Sequence, residues 1–296
     1  MNILENIKMA YKRGDALIRL IFINVAVFLV VQALLLFSAL MKSDFGLIVS
    51  SYLAAPADFT ELLYRPWTVI TYMFMHEGIM HILFNMIALY WFGKIFMMYF
   101  SEKQLVGLYF TGGLAGVISF IVAYNVFPFF ENVLQVASLV GASASIMAII
   151  VATAVQTPDM ELRLLFIGNI KLKYIAVISV LISFFGIASN NAGGEIAHLG
   201  GALAGYIFVV SLRKGNDITK WLNGIFDFIV DLFKPRKSKV KRNKKSTGQK
   251  MTDAEFNMDK ASRMKEIDRI LDKIKTSGYE SLSAEEKKRL FDQGKN

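Results

Sequence analysis

The chain has no cysteine in 296 residues, which excludes disulfides and thiolate metal ligands. Histidine is scarce, with three residues, and charged residues make up only 19% of the sequence. In contrast, 54% of the residues are hydrophobic and the mean hydropathy is +0.44. Since about 20 consecutive apolar residues suffice to cross a bilayer, this composition predicts a membrane protein rather than a soluble domain.

Six apolar runs are long enough, or nearly so, to cross the hydrocarbon core. We place them at Ala16–Leu40, Met80–Met98, Leu105–Val126, Ala137–Val155, Tyr174–Ala188 and Ile196–Leu212. Because lipid offers no partners to backbone N–H and C=O groups, each run is predicted to be a helix. The expected fold class is an all-α polytopic membrane protein with six transmembrane helices over residues 16–212. No Asp or Glu lies within these predicted spans.

Basic residues mark alternate ends of the spans, and basic residues close to a span are retained in the cytoplasm. Those at the inner ends are Lys8, Lys12, Arg13, Lys94, Lys103, Arg163, Lys171 and Lys173. The segment 1–15 and the tail after Leu212 are thus predicted to be cytoplasmic, and the long loop at about 41–79 to lie outside. The net charge of +9 reflects this topology, so we expect no nucleic-acid partner. A bacterial cytoplasmic (inner) membrane fits best.

A set of polar residues lies near the outer ends of spans two, four and six. It contains all three histidines, one amide and one serine: His76, His81, His198, Asn85 and Ser143. An unpaired polar group is costly in hydrocarbon, so such residues are functional hypotheses by default. Counted from a helix that begins near Ala137, Ser143 lies roughly 10 Å below the outer surface. Hydrogen bonding between helices is the simpler explanation, but it does not account for all histidines gathering near one face.

Three chemistries could use these residues. A metal site is disfavoured because His76 and His81 are five residues apart, about 140° around a helix, and no acid or cysteine completes the ligands. A transport pathway is disfavoured because Arg19 and Lys94 are the only charges within the spans, both near inner ends. Acyl transfer by Ser143 with a histidine base is favoured. Without a carboxylate in the spans, we expect a Ser/His dyad with no third acid, no metal and no cofactor.

These residues resemble the rhomboid family of intramembrane serine proteases, of the bacterial six-span type. The resemblance covers residues 62–212 and rests on four motifs: Arg65-Pro66-Trp67-Thr68, His76-x4-His81-x3-Asn85, Gly141-Ala142-Ser143 and Ala197-His198-Leu199-Gly200-Gly201-x3-Gly205. Two positions depart from the family pattern. Ala144 stands where the family usually has glycine, and Met147 where it often has an aromatic ring.

The resemblance implies roles for eight residues. Four would act in catalysis: Ser143 as nucleophile, His198 as its base, and His81 and Asn85 as oxyanion donors together with the backbone N–H of Ser143. Four would support the site structurally: His76, Gly141, Gly201 and Gly205. The two last form a small-xxx-small face that predicts tight packing of span six on span four. Ser145, two residues after Ser143, is expected to point to a different face.

The implied activity is that of a serine endopeptidase that cleaves single-span membrane proteins near the outer face. The alternative is a catalytically silent rhomboid-like protein that binds transmembrane segments. In the family the first loop is a membrane-embedded hairpin, and the apolar residues here at 45–48, 62–64 and Trp67 suit an interfacial position. The sequence does not indicate an oligomeric state.

Beyond Leu212 the composition changes. We predict an amphipathic juxtamembrane helix at 213–233, a basic linker at 234–250 and a small cytoplasmic helical hairpin at 251–296. In the hairpin, Ile267, Leu271 and Ile274 form an apolar stripe, Gly278 suits a helix end and Ser283-Ala284-Glu285-Glu286 is a capping box. Eight basic residues in Lys234–Lys245 indicate either contact with anionic lipid or a tail that only fixes topology.

Overall fold

The computed structural model describes residues 14–164, 168–222 and 268–287, and the single residues 11, 224, 262 and 266. The chain divides into two compact units, Met1–Pro235 and Arg236–Asn296. The helices of the first unit are α1 (Ala16–Leu40), α2 (Phe45–Leu53), α3 (Phe59–Tyr64), α4 (Thr68–Thr71), α5 (Ile79–Phe96), α6 (Glu102–Val126), α7 (Ser143–Gln156), α8 (Leu172–Gly186) and α9 (Ala192–Arg213). Two short 3₁₀ helices cover Tyr72–Phe74 and Pro128–Val133.

Two small antiparallel strand pairs complete this unit. They join β1 (Ala55–Pro56) to β2 (Ser138–Leu139), and β3 (Glu161–Leu164) to β4 (Gly168–Lys171). The first pair links the long first loop to the segment that leads into α7, and the second forms a hairpin between α7 and α8.

The helices confirm the all-α membrane fold. Four of those described, α1, α5, α6 and α9, are long and apolar enough to cross a bilayer. The apolar helices α7 and α8 are shorter, with 14 and 15 residues. At 1.5 Å per residue α7 extends only about 21 Å, less than the hydrocarbon thickness of roughly 30 Å. The count of six spans therefore stays a prediction.

Two spans begin four or more residues away from their predicted starts. α7 starts at Ser143 rather than near Ala137, because the intervening Ser138–Leu139 pairs with β1 and so satisfies its backbone without a helix. The depth of Ser143 therefore cannot be counted along a helix from Ala137. α9 starts at Ala192 rather than Ile196 and so contains Glu195. The expectation that the spanning helices hold no acid is wrong there, and also at the first residue of α6, Glu102.

α7 is the central helix of this unit, with eleven of its 14 residues buried. The glycines of α9 allow the backbones of α7 and α9 to touch. A Cβ on Gly201 would lie 2.1 Å from the carbonyl oxygen of Ala144, and a Cβ on Gly205 would lie 2.2 Å from that of Ala148. This is the close packing that the small-xxx-small pattern predicts, and it places the first turn of α7 beside the part of α9 that directly follows His198.

Two residues of the predicted loop signature hold the first loop together. The indole nitrogen of Trp67 donates a hydrogen bond of 2.8 Å to the carbonyl of Tyr52. The guanidinium of Arg65 donates one of 3.1 Å to the carbonyl of Ser51 and lies 5.3 Å from the centroid of the Tyr52 ring. Large apolar side chains on this loop are exposed: Phe45, Leu47, Ile48, Phe59, Leu63 and Tyr64. Such a surface suits insertion into the membrane interface, which stays a prediction.

The second unit is described over residues 268–287. Residues 268–277 are helical, and Gly278 ends this helix with a positive φ of 77°. The reciprocal hydrogen bonds of the predicted capping box are present, since Ser283 N–H donates to the Glu286 carboxylate and Glu286 N–H donates to Ser283 Oγ. The basic linker 234–250, with Lys234–Lys245, and Ile267 lie outside the described residues, and the juxtamembrane helix is described only through residue 222 and at residue 224.

Candidate active site

A cavity of about 1100 Å³ opens beside the first turn of α7. Its lining includes the four residues expected to act in catalysis: His81 and Asn85 from α5, Ser143 from α7 and His198 from α9. Three helices far apart in sequence thus bring these side chains to one space. The cavity also has apolar walls from residues such as Phe84, Met147 and Ile150.

The turn before Ser143 requires glycine for two reasons. Gly141 has φ of +124°, a conformation that other residues rarely adopt. A Cβ at this position would also lie 3.0 Å from Nε2 of His81. The turn is held in place by a hydrogen bond of 2.9 Å from Gly141 N–H to the carbonyl of Tyr72. Gly141 therefore allows the turn to pass directly beside His81.

The backbone N–H of Ser143 lies at the start of α7, where a helix supplies no carbonyl partner. The helix begins at this residue, and its N-cap, Ala142, makes no side-chain cap. The N–H groups of the first turn have no carbonyl partner within a helix, and the helix dipole makes this end positive. The backbone N–H of Ser143 is therefore available to an anion that forms at the serine.

His81 and Asn85 lie one turn apart on α5. Nδ2 of Asn85 donates a hydrogen bond of 2.9 Å to the carbonyl of His81, which occupies one of its two N–H groups. The ring of His76 packs edge-on against that of His81, with centroids 5.1 Å apart, and burial lowers the pKa of His76 to about 4, with the neighbouring His81 adding to the shift. His76 is thus neutral at physiological pH and packs behind His81.

His198 is held through one ring nitrogen. Its Nδ1 lies 3.1 Å from Oγ of Ser183 on α8 and 3.3 Å from Oε2 of Glu195 on its own helix. Over the described ranges, no direct hydrogen bond joins Ser143 to His198. Catalytic hydrogen bonds often tighten only when substrate is bound. Nε2 of His198 is the nitrogen left for the serine hydroxyl.

Neither partner of His198 is among the site residues predicted from the sequence. The position of Glu195 could have been predicted, because it precedes His198 by three residues and so lies on the same face of a helix. The predicted span begins at Ile196 and therefore excludes Glu195. The position of Ser183 could not have been predicted from sequence spacing, since its proximity to His198 depends on how α8 packs against α9.

The second serine of the motif, Ser145, faces away from the cavity, as expected. Its side chain is fully buried, and a Cβ on Gly113 of α6 would lie 2.8 Å from its Oγ. Ser145 therefore packs against α6, and Ser143 is the serine of this motif that lines the cavity.

The alanine that departs from the family pattern is accommodated by a glycine on α6. Ala144 is 1% exposed, and a Cβ on Gly116 would lie 2.5 Å from the Cβ of Ala144. The methyl group of Ala144 thus occupies space that is open because residue 116 on the facing helix is glycine.

This fit makes Gly116→Ala strongly destabilising. Its new methyl group would overlap that of Ala144, and overpacking of this kind costs typically about 1 to 3 kcal/mol. Ala144→Gly in the same protein should restore part of the loss, which the thermal unfolding midpoint in detergent would measure. Ala144→Gly alone is the control and should cost no more than about 1 kcal/mol in helix propensity. A Gly116→Ala protein as stable as the parent would contradict the fit.

Comparison with known proteins gives two matched regions. Residues 64–215 match the Rhomboid domain family, and residues 250–295 match a family of unknown function, DUF6576. The chain is 30% identical over 169 residues to RHOMBOID-like protein 12, mitochondrial, of Arabidopsis thaliana, covering 51% of this chain and 48% of that protein. It is 27% identical over 166 residues to Presenilin-associated rhomboid-like protein A, mitochondrial, of Danio rerio, covering 55% and 40%. The chain thus spans less than half the length of these curated relatives.

Proposed function

Because this chain belongs to the rhomboid family, we propose that it is an intramembrane serine endopeptidase that cleaves single-span membrane proteins. One observation carries the proposal: Ser143, His198, His81 and Asn85 line a single cavity at the start of α7. A nucleophile, a base and oxyanion donors are the groups that acyl transfer requires.

The proposed reaction proceeds through a Ser143/His198 dyad. Nε2 of His198 takes the proton of the Ser143 hydroxyl as Oγ attacks the scissile carbonyl, and a tetrahedral oxyanion forms. His198 then gives this proton to the leaving amine, and the C–N bond breaks to leave an acyl-enzyme. Water attacks the ester and His198 takes its proton; the bond from the carbonyl carbon to Oγ then breaks, His198 returns the proton to Oγ of Ser143, and the carboxylic acid product leaves.

The oxyanion is proposed to bind at the start of α7. The backbone N–H of Ser143, the free N–H of Asn85 and the imidazole of His81 would donate to it. Donors directed at a developing charge, in a site that excludes water, are typically the largest catalytic contribution. His76 would support this arrangement through its ring contact with His81.

The cavity is proposed to open to the outer face of a bacterial cytoplasmic membrane, with both termini in the cytoplasm. The start of α1, the end of α5 and the start of α6 meet at the opposite end of the bundle, where Lys94 pairs with Asp15 at 2.8 Å and Glu102 accepts from Ala16 N–H at 2.9 Å. Basic residues concentrate at this end, which supports its cytoplasmic placement. The two relatives above are named as mitochondrial, so they do not support a bacterial membrane. The proposed orientation rests on the distribution of basic residues alone.

Cleavage of a single-span substrate by the purified protein in detergent tests the proposal. The substrate should carry a small residue at the cut and helix-weakening residues below it, and mass spectrometry should place the new termini near the outer boundary. EDTA and o-phenanthroline should leave the rate unchanged. Binding of several such substrates without cleavage of any would refute the proposal and favour the silent, transmembrane-segment-binding alternative.

Asn85→Ala should separate an oxyanion donor from a residue that only stabilises the helix. Loss of one donor is expected to lower turnover by roughly 10²-fold or more. The unfolding midpoint should change little, because a lone hydrogen bond within a membrane is worth about 0.6 kcal/mol on average.

Asn24→Ala is the matched control for Asn85→Ala. Asn24 also donates to the carbonyl four residues earlier at 2.9 Å, but it lies on α1 outside the cavity lining and hydrogen-bonds Tyr109 of α6 as well. Its loss should affect stability rather than turnover. If Asn85→Ala turned over like the parent while losing stability, Asn85 would be structural and the donor assignment wrong.

A further inference from the structure

A Ser/His dyad contains no acidic residue, yet His198 has a carboxylate neighbour. Oε2 of Glu195 lies 3.3 Å from Nδ1 of His198, slightly longer than the usual N–H···O hydrogen bond of about 2.7 to 3.2 Å. Both side chains are largely shielded, with exposed fractions of 16% for Glu195 and 19% for His198. Ser183, the other group at Nδ1, is 2% exposed.

This contact determines which nitrogen of His198 carries the proton. An ionised carboxylate can only accept a hydrogen bond, so Nδ1 must donate to Glu195. Nε2 is then unprotonated, which is the state that a base needs to accept the proton of Ser143. The Ser183 hydroxyl, which can accept as well as donate, is compatible with the same proton on Nδ1.

Helix α8 holds the carboxylate of Glu195 in place. A Cβ on Gly186 would lie 2.9 Å from Cγ and 3.0 Å from Cδ of Glu195, so the side chain occupies the space that this glycine leaves open. Ser183 is three residues earlier on α8 and therefore on the same face. One face of α8 thus packs against Glu195 and contacts Nδ1 of His198.

We propose that Glu195 is a positioning residue for His198: with Ser183 it orients the imidazole, and its charge stabilises the imidazolium that forms when Ser143 is deprotonated. The inference rests on the proposed protease function and extends its dyad by a third group. The imidazolium charge is present in the transition state and not in the resting enzyme, so stabilising it raises kcat rather than substrate affinity. A shielded pair of charges interacts more strongly than one in water.

A purely structural role for Glu195 predicts different behaviour. An acidic residue in the first turn of a helix is favourable with the helix dipole, and Glu195 occupies that turn of α9. Its loss would then lower stability, with no specific effect on kcat.

The test is Glu195→Gln, which keeps the size of the side chain and removes its charge. We expect kcat to fall at least about tenfold, but less than the roughly 10⁴-fold that loss of the orienting carboxylate costs a complete Ser-His-Asp triad, with KM nearly unchanged. A fall of kcat without a matching rise of KM distinguishes positioning of the imidazole from a purely structural role. Parental kcat would overturn the inference.

A matched control addresses the other ionisable groups that line the cavity, which are His81, Glu77 and Tyr124. Glu77→Gln removes a carboxylate that lines the cavity without removing a hydrogen bond to His198, so kcat should stay close to that of the parent. An equal fall of kcat in Glu77→Gln and Glu195→Gln would show that only the general negative charge near the site matters, and would overturn the specific role of Glu195.

Glu195→Asp keeps the test decisive if Glu195→Gln does not fold. Aspartate retains the negative charge in the first turn of α9 but is one methylene too short to reach Nδ1 in the same way. A folded Glu195→Asp protein should have reduced kcat, and parental kcat would refute the inference. The proposed function fails separately, if the parent does not cleave or if Ser143→Ala cleaves as fast as the parent.

Discussion

Ser143→Ala is expected to abolish cleavage of a single-span substrate. Without Oγ no acyl-enzyme can form, and loss of the nucleophile in a serine protease costs about 10⁶-fold in kcat. The variant should remain folded, because the change removes one oxygen from the wall of an open cavity. Product formation on a gel and the thermal unfolding midpoint would measure the two effects.

Ser145→Ala provides the control within the same motif. Ser145 faces α6 and does not line the cavity, so its loss should leave cleavage close to that of the parent. A serine-directed fluorophosphonate should label the parent and Ser145→Ala at Ser143, and His198→Ala should lose most labelling because it lacks the base. Undiminished cleavage by Ser143→Ala would end the protease assignment.

Among substitutions that add one methyl group outside the catalytic residues, Gly201→Ala is expected to lower activity and stability most. Its Cβ would lie 2.1 Å from the carbonyl oxygen of Ala144, a backbone atom that cannot move without moving the adjacent Ser143. α9 must therefore shift away from α7, and it carries His198 with it. A displacement of about 1 Å at a catalytic group can cost 10²-fold in rate, and overpacking costs about 1 to 3 kcal/mol in stability.

Gly205→Ala separates displacement of the site from general destabilisation. Its Cβ would meet the carbonyl oxygen of Ala148 at 2.2 Å, nearly the same overlap as at Gly201. However, Gly205 is seven residues from His198 rather than three, or about 10 Å rather than 4.5 Å along the helix axis. We expect both variants to unfold at similarly lowered temperatures, but Gly201→Ala to lose more turnover. Equal losses of turnover would mean that packing stability alone governs activity.

The local pattern of the sequence determined the membrane class and most helix ends. α1 coincides with the predicted span Ala16–Leu40, and α5 and α6 begin within three residues of their predictions. Such spans are readable because hydrophobicity, backbone hydrogen bonding and length act within one segment. Polar residues in apolar runs likewise pointed to Ser143, His81, Asn85 and His198, and the structure brings them to one cavity.

Only the tertiary structure decided where α7 begins and what surrounds its first turn. Ser138–Leu139 is a strand because β1 supplies its partner, and β1 lies more than 80 residues earlier in the chain. Ala144 fits because Gly116 faces it, and Nδ1 of His198 meets Ser183 because α8 packs beside α9. The same packing holds Glu195 against Gly186 and beside His198. The sequence had predicted a dyad without such a carboxylate. Such contacts depend on which helices are neighbours and at what distance, and no periodicity within a single segment encodes that information.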